Sequence, residues 1–588
     1  MYHPFIIPFL FGVTALFSIL FVKFGRWLLR FTKKQRRMVL KNIISLKTIH
    51  AVWEAIRECL FHRNIFKTNP VLGYMHFCFA FGWLMLIVMG KVEETFYSGK
   101  IWTEPWGGIF FKYFENTAHA YPLKNTMVFI MDLLLLFVLS GTILAVIKRT
   151  RSTIMGLRKT PNHSWNDRIG LVSLWFIFPL RLLAESITAG LKHNGGFLTQ
   201  TIGNGLSFMP LENIEVPVWW AYSVSLGLFF TFMCFTRYMH IFTEVLLIFL
   251  RKWGVTEEDT RTGYTPIEVN ACSRCGICLD PCQLNSAANI PYKQPLYFIR
   301  DIRNWRLNAF TTDNCLLCNR CEVKCPVGLK SSQIRQIYRR KKEFEERDYY
   351  DFITPKENQT DNRKVNVLYF AGCMSHLTPS ITEAMKKIFQ KTDENYHFLD
   401  EETHICCGKP LKQQGFLTQA YTLAEKNRAL IESYNASILV TSCPICYDSF
   451  TKEYQLSLKV MHHTQYIEML LHEGRLKIEK QDISMVYHDP CAISRGHDLY
   501  DAPRNILKTV GNLFACEHEK EDTLCCGGSL GNTRLTPNEL TAIRDDALTK
   551  ITASSPDVLV TACPLCKKTF LQGKEQDMAV KDIAEVIC

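Results

Sequence analysis

The chain has 588 residues and 23 cysteines, is 47% hydrophobic and 21% charged, and carries 68 Lys and Arg against 56 Asp and Glu for a formal charge of +12. That length calls for several domains, and the near-zero mean hydropathy of −0.01 averages a greasy part with an ordinary soluble one. Composition therefore excludes a disordered, collagenous or wholly soluble protein, and the division falls near residue 255, after Cys59, Cys78 and Cys234 and ahead of the other twenty cysteines.

Five apolar runs, at residues 5–22, 71–89, 127–147, 169–187 and 218–239, each approach the ~20 residues that a helix needs to cross a bilayer. No basic residue precedes the first run and no small-x-small site follows it, so it reads as an anchor and not as a cleaved leader. Residues 23–69 hold twelve Lys and Arg and residues 148–168 hold six, against four in 91–125 and one in 188–216. This bias predicts an outside N-terminus, with everything beyond the fifth helix in the cytoplasm of a cell inner membrane. Lys33, Lys34, Arg36 and Arg37 then suit contact with the lipid bilayer, and no nucleic acid partner is called for.

A histidine within hydrocarbon is costly and asks for a partner. His76 early in the second run and His240 at the end of the fifth fall at matching cytoplasmic-side depth, which points to the axial pair of one haem; the plainer alternative is a hydrogen bond to a neighbouring helix for each. A second haem would place ligands near Leu86 and Tyr222, where no histidine lies. His50, His62, His119, His163 and His193 read as solvated or structural, and Cys59, Cys78 and Cys234 as small hydrophobes.

Beyond residue 255, Cys272, Cys275, Cys278 and Cys282 form C-x2-C-x2-C-x3-C, and Cys315, Cys318, Cys321 and Cys325 repeat it. Three thiolates on a tight loop wrap three corners of a cubane, while the fourth reaches the cluster of the other run. The spacing thus assigns Cys272, Cys275, Cys278 and Cys325 to one [4Fe-4S] cluster and Cys315, Cys318, Cys321 and Cys282 to a second. Structural zinc favours paired C-x2-C sites, and disulfides do not suit a reducing compartment.

The remainder is a repeat. Cys373, Cys406-Cys407-Gly408 and Cys443-Pro444-x-Cys446 recur as Cys491, Cys525-Cys526-Gly527 and Cys563-Pro564-x-Cys566, at offsets of 118, 119 and 120 residues. Strand-like runs at 365–370, 438–441, 483–487 and 558–561 and helical patterns at 420–434 and 538–552 predict two α/β modules with cysteines on loops at strand ends. Adjacent cysteines serve one cofactor only on a bent loop, which Gly408, Gly527 and Gly528 permit; Pro444 and Pro564 suit the first turn of a helix. Five thiolates per module exceed a cubane's four, which implies a larger or unusual iron-sulfur cluster, a spare redox thiol, or a metal-free dithiol. GxGxxG and GxxxxGK are absent, so bound nucleotide is not indicated.

At residues 366–588 the paired motifs, with Tyr487-His488-Asp489-Pro490-Cys491, resemble the cysteine-rich catalytic subunits of heterodisulfide reductases, whose modules hold noncubane [4Fe-4S] clusters. Residues 1–250 resemble the five-helix cytochrome b subunits of respiratory nitrate reductase and membrane-bound heterodisulfide reductases, which implies one haem b on His76 and His240. One departure is Gln283, which follows Cys282 where ferredoxins usually carry proline. The order is similar to that of the membrane iron-sulfur oxidoreductases that link electron-transfer flavoprotein to menaquinone, and this resemblance supplies the flavoprotein donor and the quinone pool.

The expected architecture is multidomain: an all-α five-helix transmembrane cytochrome b domain (1–255), a helical two-cluster ferredoxin domain (256–360), and two repeated α/β CCG modules (361–480 and 481–588). The expected function is quinone-linked electron transfer. The alternatives are a quinol-dependent heterodisulfide reductase and an electron-transfer subunit without chemistry of its own.

Overall fold

The computed structural model describes residues 2–116, 119, 121–156, 163–258, 261–339, 365–402, 405–531, 534–573 and 578–588. The polar stretch at 356–364 and the domain boundary expected at 360/361 lie outside the described residues. The chain forms two compact units, Met1–Ile277 and Cys278–Cys588.

In the first unit five helices are long and apolar enough to cross a membrane: Pro4–Leu29, Pro70–Ser98, Lys124–Thr150, Trp165–Lys192 and Leu211–Met233. Phe5, Leu86, Leu135, Phe178, Trp219 and Phe229 are buried in their common core. The first and fifth helices cross at a pair of glycines, where a Cβ on Gly12 would lie 2.5 Å from the Gly227 carbonyl oxygen, the close approach that small residues allow.

Two local breaks depart from the apolar runs. The fifth helix ends at Met233 and does not extend through residue 239; after a short 3-10 turn, Arg237–Met239, a new helix, His240–Lys252, begins at His240. His240 therefore opens a helix and does not close one. Thr236 makes the break: its backbone is extended, and its Oγ1 accepts the Tyr238 amide (3.3 Å). Phe235, Tyr238 and Met239 continue the apolar composition through it, so hydropathy does not register the turn. The second helix widens into a π-helical turn at Cys78–Gly82, and another π-helical turn, Ile56–Leu60, ends the amphipathic helix Leu46–Ala55; such turns occur often at functional sites.

In the second unit the ferredoxin-like region is built of short helices held by buried arginines. Arg335, with no exposed surface, lies over the Phe298 ring at 4.2 Å and donates to the Thr311 and Lys293 carbonyls.

Each module then forms a four-stranded parallel sheet. The first contains β1 (Val367–Phe370), β2 (Tyr396–Phe398), β3 (Ile438–Thr441) and β4 (Lys459–His462) in the order β2-β1-β3-β4. The second contains β5 (Ser484–His488), β6 (Asn512–Phe514), β7 (Val558–Thr561) and β8 (Ala579–Asp582) in the matching order β6-β5-β7-β8. The central strands β1 and β7 are buried along their whole length, as parallel strands covered on both faces must be. The modules share one core in which Tyr369, Val440 and Tyr466 of the first meet Tyr487, Ile506 and Val560 of the second.

Candidate electron-transfer centres

In an open parallel sheet the chain leaves adjacent strands toward opposite sides at the point where strand order reverses, which opens a crevice at their carboxyl ends. In the first module that point lies between β1 and β3, and in the second between β5 and β7. Cys373 follows β1, Cys443 follows β3, Cys491 follows β5 and Cys563 follows β7, so the repeated motif puts cysteines at both crevices. Pro444 and Pro564 occupy the first turns of helices Pro444–Lys452 and Pro564–Leu571, which bring Cys446 and Cys566 round to the same side.

The five motif cysteines of each module come together as a string of thiols within hydrogen-bond reach. In the first the order is Cys373, Cys406, Cys407, Cys446, Cys443. In the second it is Cys491, Cys525, Cys526, Cys566, Cys563. Thiols from Cys406 and Cys446 hydrogen-bond Cys407 and draw it down to about 6, and Cys525 and Cys566 draw Cys526 well down in the same way. Thiolate is the form that ligates metal. Among the described residues no three His, Cys, Asp or Glu close on one point suited to a single ion. Five thiols in each string exceed the four ligands of a zinc site and suit a multi-iron group.

Glycine makes the bends. Gly408 and Gly527 adopt φ of +77° and +89° just after the paired cysteines. Gly372, which the motif reading missed, has φ +87°, and a Cβ there would sit 3.0 Å from Cys443 Cβ and from Cys446 Sγ. Its loop is tied down by the buried Asp400 carboxylate, which accepts the Ala371 and Gly372 amides at 2.8 Å each.

In the ferredoxin-like region Cys282 is near enough to Cys315 and Cys318 to feel their charge, as is Cys321, so the set read from spacing is brought together. Burial, then those two neighbours, push Cys282 up to about 12, while a hydrogen bond from Cys525 and the Arg495 charge draw Cys318 down to about 5. Cys318 thus touches the string of the second module. Gln283 explains its own departure from proline: its Oε1 accepts the Cys525 amide (2.7 Å) and its Nε2 donates to the Cys525 carbonyl (3.1 Å). A proline offers neither group. Arg495 donates to the Cys318 carbonyl (2.6 Å), and Ser529 to that of Leu316 (2.8 Å).

Of the other predicted set, Cys272 and Cys275 belong to the first unit, and Cys278 and Cys325 to the second. Within the first unit Cys275 packs against the cluster of Leu72, Met75 and Ile277. Asp167 links the same loop to the turn before His240: it pairs with Arg274 (2.5 Å) and accepts the Arg237 amide (2.9 Å).

His76 and His240 lie within electrostatic reach of each other. Each holds its Nδ1 on a backbone carbonyl, Leu72 at 2.8 Å and Arg237 at 2.7 Å, the anchoring that turns Nε2 toward a metal. His62 and His163 are buried and so not solvated; His62 rests against His76 with ring centroids 5.5 Å apart.

The family described as CCG, Cysteine-rich domain, matches residues 367–451 and again 485–570, and the 4Fe-4S dicluster domain matches residues 268–329. The chain is similar to the EtfAB:quinone oxidoreductase of Syntrophomonas wolfei, 28% identical over 247 residues, covering 39% of this chain and 34% of that one. It is similar to one subunit of the dihydromethanophenazine:CoB-CoM heterodisulfide reductase of Methanosarcina acetivorans, 23% identical over 392 residues, covering 56% of this chain and 95% of the relative. A third relative is the probable iron-sulfur-binding oxidoreductase FadF of Bacillus subtilis, 27% identical over 252 residues, covering 40% of this chain and 35% of FadF. The matches thus span about a third of the length of the first and third relatives. Five apolar helices, a dicluster domain and two cysteine-rich domains thus lie in one chain, parts of which are similar to iron-sulfur oxidoreductases.

Proposed function

We propose that the protein is a membrane-bound oxidoreductase that transfers electrons between electron-transfer flavoprotein in the cytoplasm and menaquinone in the cell's inner membrane. The observation that carries this reading is the contact of Cys318 with Cys525, which joins the ferredoxin-like region to a five-thiol string. In the first unit, Cys275 packs against the cluster that holds Leu72 and Met75 of the helix that carries His76.

Under this reading Cys272, Cys275, Cys278 and Cys325 hold one [4Fe-4S] cubane and Cys282, Cys315, Cys318 and Cys321 a second. Cys373, Cys406, Cys407, Cys443 and Cys446 hold a noncubane cluster, as do Cys491, Cys525, Cys526, Cys563 and Cys566. His76 and His240 would hold one haem b. When bound, these groups supply one-electron carriers at fixed places. The chain's part is to hold them: carbonyls fix the histidine rings, Asp167 ties the Arg274 loop to the turn before His240, and Gln283 fixes Cys525 to the residue after Cys282. The loop charges favour an outside N-terminus and cytoplasmic iron-sulfur domains. The name of one relative, EtfAB:quinone oxidoreductase, supports the donor and the acceptor.

The match to nearly all of one heterodisulfide reductase chain favours a second reading, quinol-dependent disulfide reduction. The two separate in an anaerobic stopped-flow experiment on detergent-purified protein. Reduced electron-transfer flavoprotein is expected to reduce the haem, and a small heterodisulfide to leave it reduced. Reoxidation by the disulfide, with no response to flavoprotein, would establish the second reading instead.

A further inference from the structure

The amphipathic stretch ahead of the second membrane helix encloses a groove of about 350 Å³, lined by Trp53, Ile56, Arg57, Phe61, Arg63 and Phe66. Its walls are apolar, apart from two guanidinium groups. It forms where the helix Leu46–Ala55 relaxes into the π-helical turn Ile56–Leu60 and the chain then reverses at His62, whose φ of +51° is a left-handed conformation unusual for a bulky residue.

Two observations connect the groove to the site around His76, and two more suit it to a ligand that arrives from the membrane. Phe61 and Phe66, two of its walls, both pack on Phe77, the residue after His76, with ring centroids 6.0 and 6.3 Å apart. His62, between Phe61 and Arg63 in the chain, is 8% exposed, lies against the His76 ring, and leaves its buried Nδ1 without a hydrogen-bond partner. An uncompensated buried polar atom is costly and needs an occupant or a function to account for it. The outer face of the same stretch exposes Ile49, Val52, Trp53 and Ile56, apolar side chains that suit the surface layer of a bilayer, where a lipid-soluble molecule arrives. Finally, Arg57 engages Glu58 through its Nε at 2.6 Å and so is fixed in place at the rim.

We infer that this groove is the binding site for the quinone headgroup. The inference rests on the proposed quinone reaction and locates it. Trp53, Phe61 and Phe66 form a flat apolar slot for the ring, Arg63 at the mouth meets a quinone carbonyl, and the isoprenoid tail leaves along Ile56 toward the lipid. Phe77, on which two walls of the slot pack, is the residue after His76. His62 is a positioning residue, since it orders the Phe61 and Arg63 walls through the reversed turn.

The test uses the full chain in detergent and an azido-menaquinone photoprobe, with labelled peptides found by mass spectrometry. The label is expected between residues 53 and 66 and to be competed by menaquinone. Ile56→Phe, which fills the slot, and Arg63→Gln, which is surface-exposed and removes the charge, should each weaken labelling at least tenfold, with iron content and the haem spectrum unchanged. Competed labelling elsewhere in the chain, or labelling at 53–66 indifferent to both variants, would overturn the groove assignment while leaving the quinone reaction intact. Absence of any competed labelling, together with no reduction of menaquinone, would overturn both. Displacement of the probe by phosphatidylglycerol nanodiscs but not by menaquinone would make the groove a lipid headgroup site and would also overturn the assignment.

Discussion

The two cysteine-rich modules have the same strand order and the same string of thiols, yet they anchor those strings differently. The first is self-sufficient: Asn427 donates to the Cys406 carbonyl (2.8 Å), and Ser449 and Tyr454 donate to that of Cys407 (3.3 and 3.1 Å). The second borrows its anchor, because Gln283 of the ferredoxin-like region holds both the amide and the carbonyl of Cys525. The loops into the first cysteine differ too. Gly372 and the Asp400 carboxylate shape one, whereas the other has Pro490 and an Asp489 carboxylate clasped by Arg504 at 2.8 Å on each oxygen. A duplicated scaffold thus fixes where thiols meet, while residues outside the repeat decide which copy faces the ferredoxin-like region.

The comparison breaks most readily at the paired cysteines. Cys525→Ser is expected to lose the iron of the second module and also to alter the electron paramagnetic resonance of the ferredoxin clusters, because Cys525 touches Cys318. Cys406→Ser should lose only the iron of the first module. Equal disturbance of the ferredoxin signals by both variants would make the modules equivalent.

Gln283→Leu comes next. It strands a buried amide and carbonyl, at a cost of about 2–4 kcal/mol, and is expected to loosen the second module while the first keeps its iron. Denaturant titration with iron analysis reads both effects; a variant as stable as the parent would mean that the borrowed anchor is ornamental.

The mirror-image change is Gly372→Ala, which forces a left-handed backbone on alanine and a 3.0 Å approach to Cys443 and Cys446. It should cost about 1–3 kcal/mol and depress iron only in the first module. Pro490→Ala at the matching position should stay within about 1 kcal/mol, and the difference between the two melting temperatures tests the contrast.

The smallest effect concerns the seam between modules. Asp448 of the first binds His497 of the second at 3.0 Å, with Lys409 and Lys452 beside it. Burial pushes this carboxyl up, but the His497 hydrogen bond and the two lysines outweigh it and hold Asp448 far below the usual carboxylate range. Since its folded value lies below its unfolded one, its stabilisation is complete above about pH 4 and is lost as pH falls further. Asp448→Asn should therefore flatten the acid limb of the stability curve by up to about 1 kcal/mol. An unchanged acid limb would remove the seam from the account.

Much of this was legible in the sequence because cysteine spacing is a direct record of ligand geometry. The runs at Cys272 and Cys315 and the repeat from Cys373 to Cys566 needed no fold to be recognised, and the central strands β1, β3, β5 and β7 fell close to their predicted ranges. The edge strands β2, β4, β6 and β8 were not predicted; they are three or four residues long, too short for a period to register. The break before His240, at Thr236 and Arg237, was hidden by the apolar residues on either side of it. Gln283 was visible only as an oddity, since the partner that gives it meaning is 242 residues away. Gly372 and Asp400 act through backbone angles and amides, which no side-chain pattern encodes.

That separation of 242 residues also has a meaning in time. A ribosome adding ~5–20 residues per second takes roughly 10–50 s to travel from Gln283 to Cys525. For most of that interval Cys282, Cys315, Cys318 and Cys321 have been made without the backbone that later fixes their surroundings. Iron delivered during synthesis would meet thiols with no settled geometry, whereas iron delivered after release would meet a finished cradle. The clamp at Gln283 therefore closes late in the biogenesis of this protein, once Cys525 has been made.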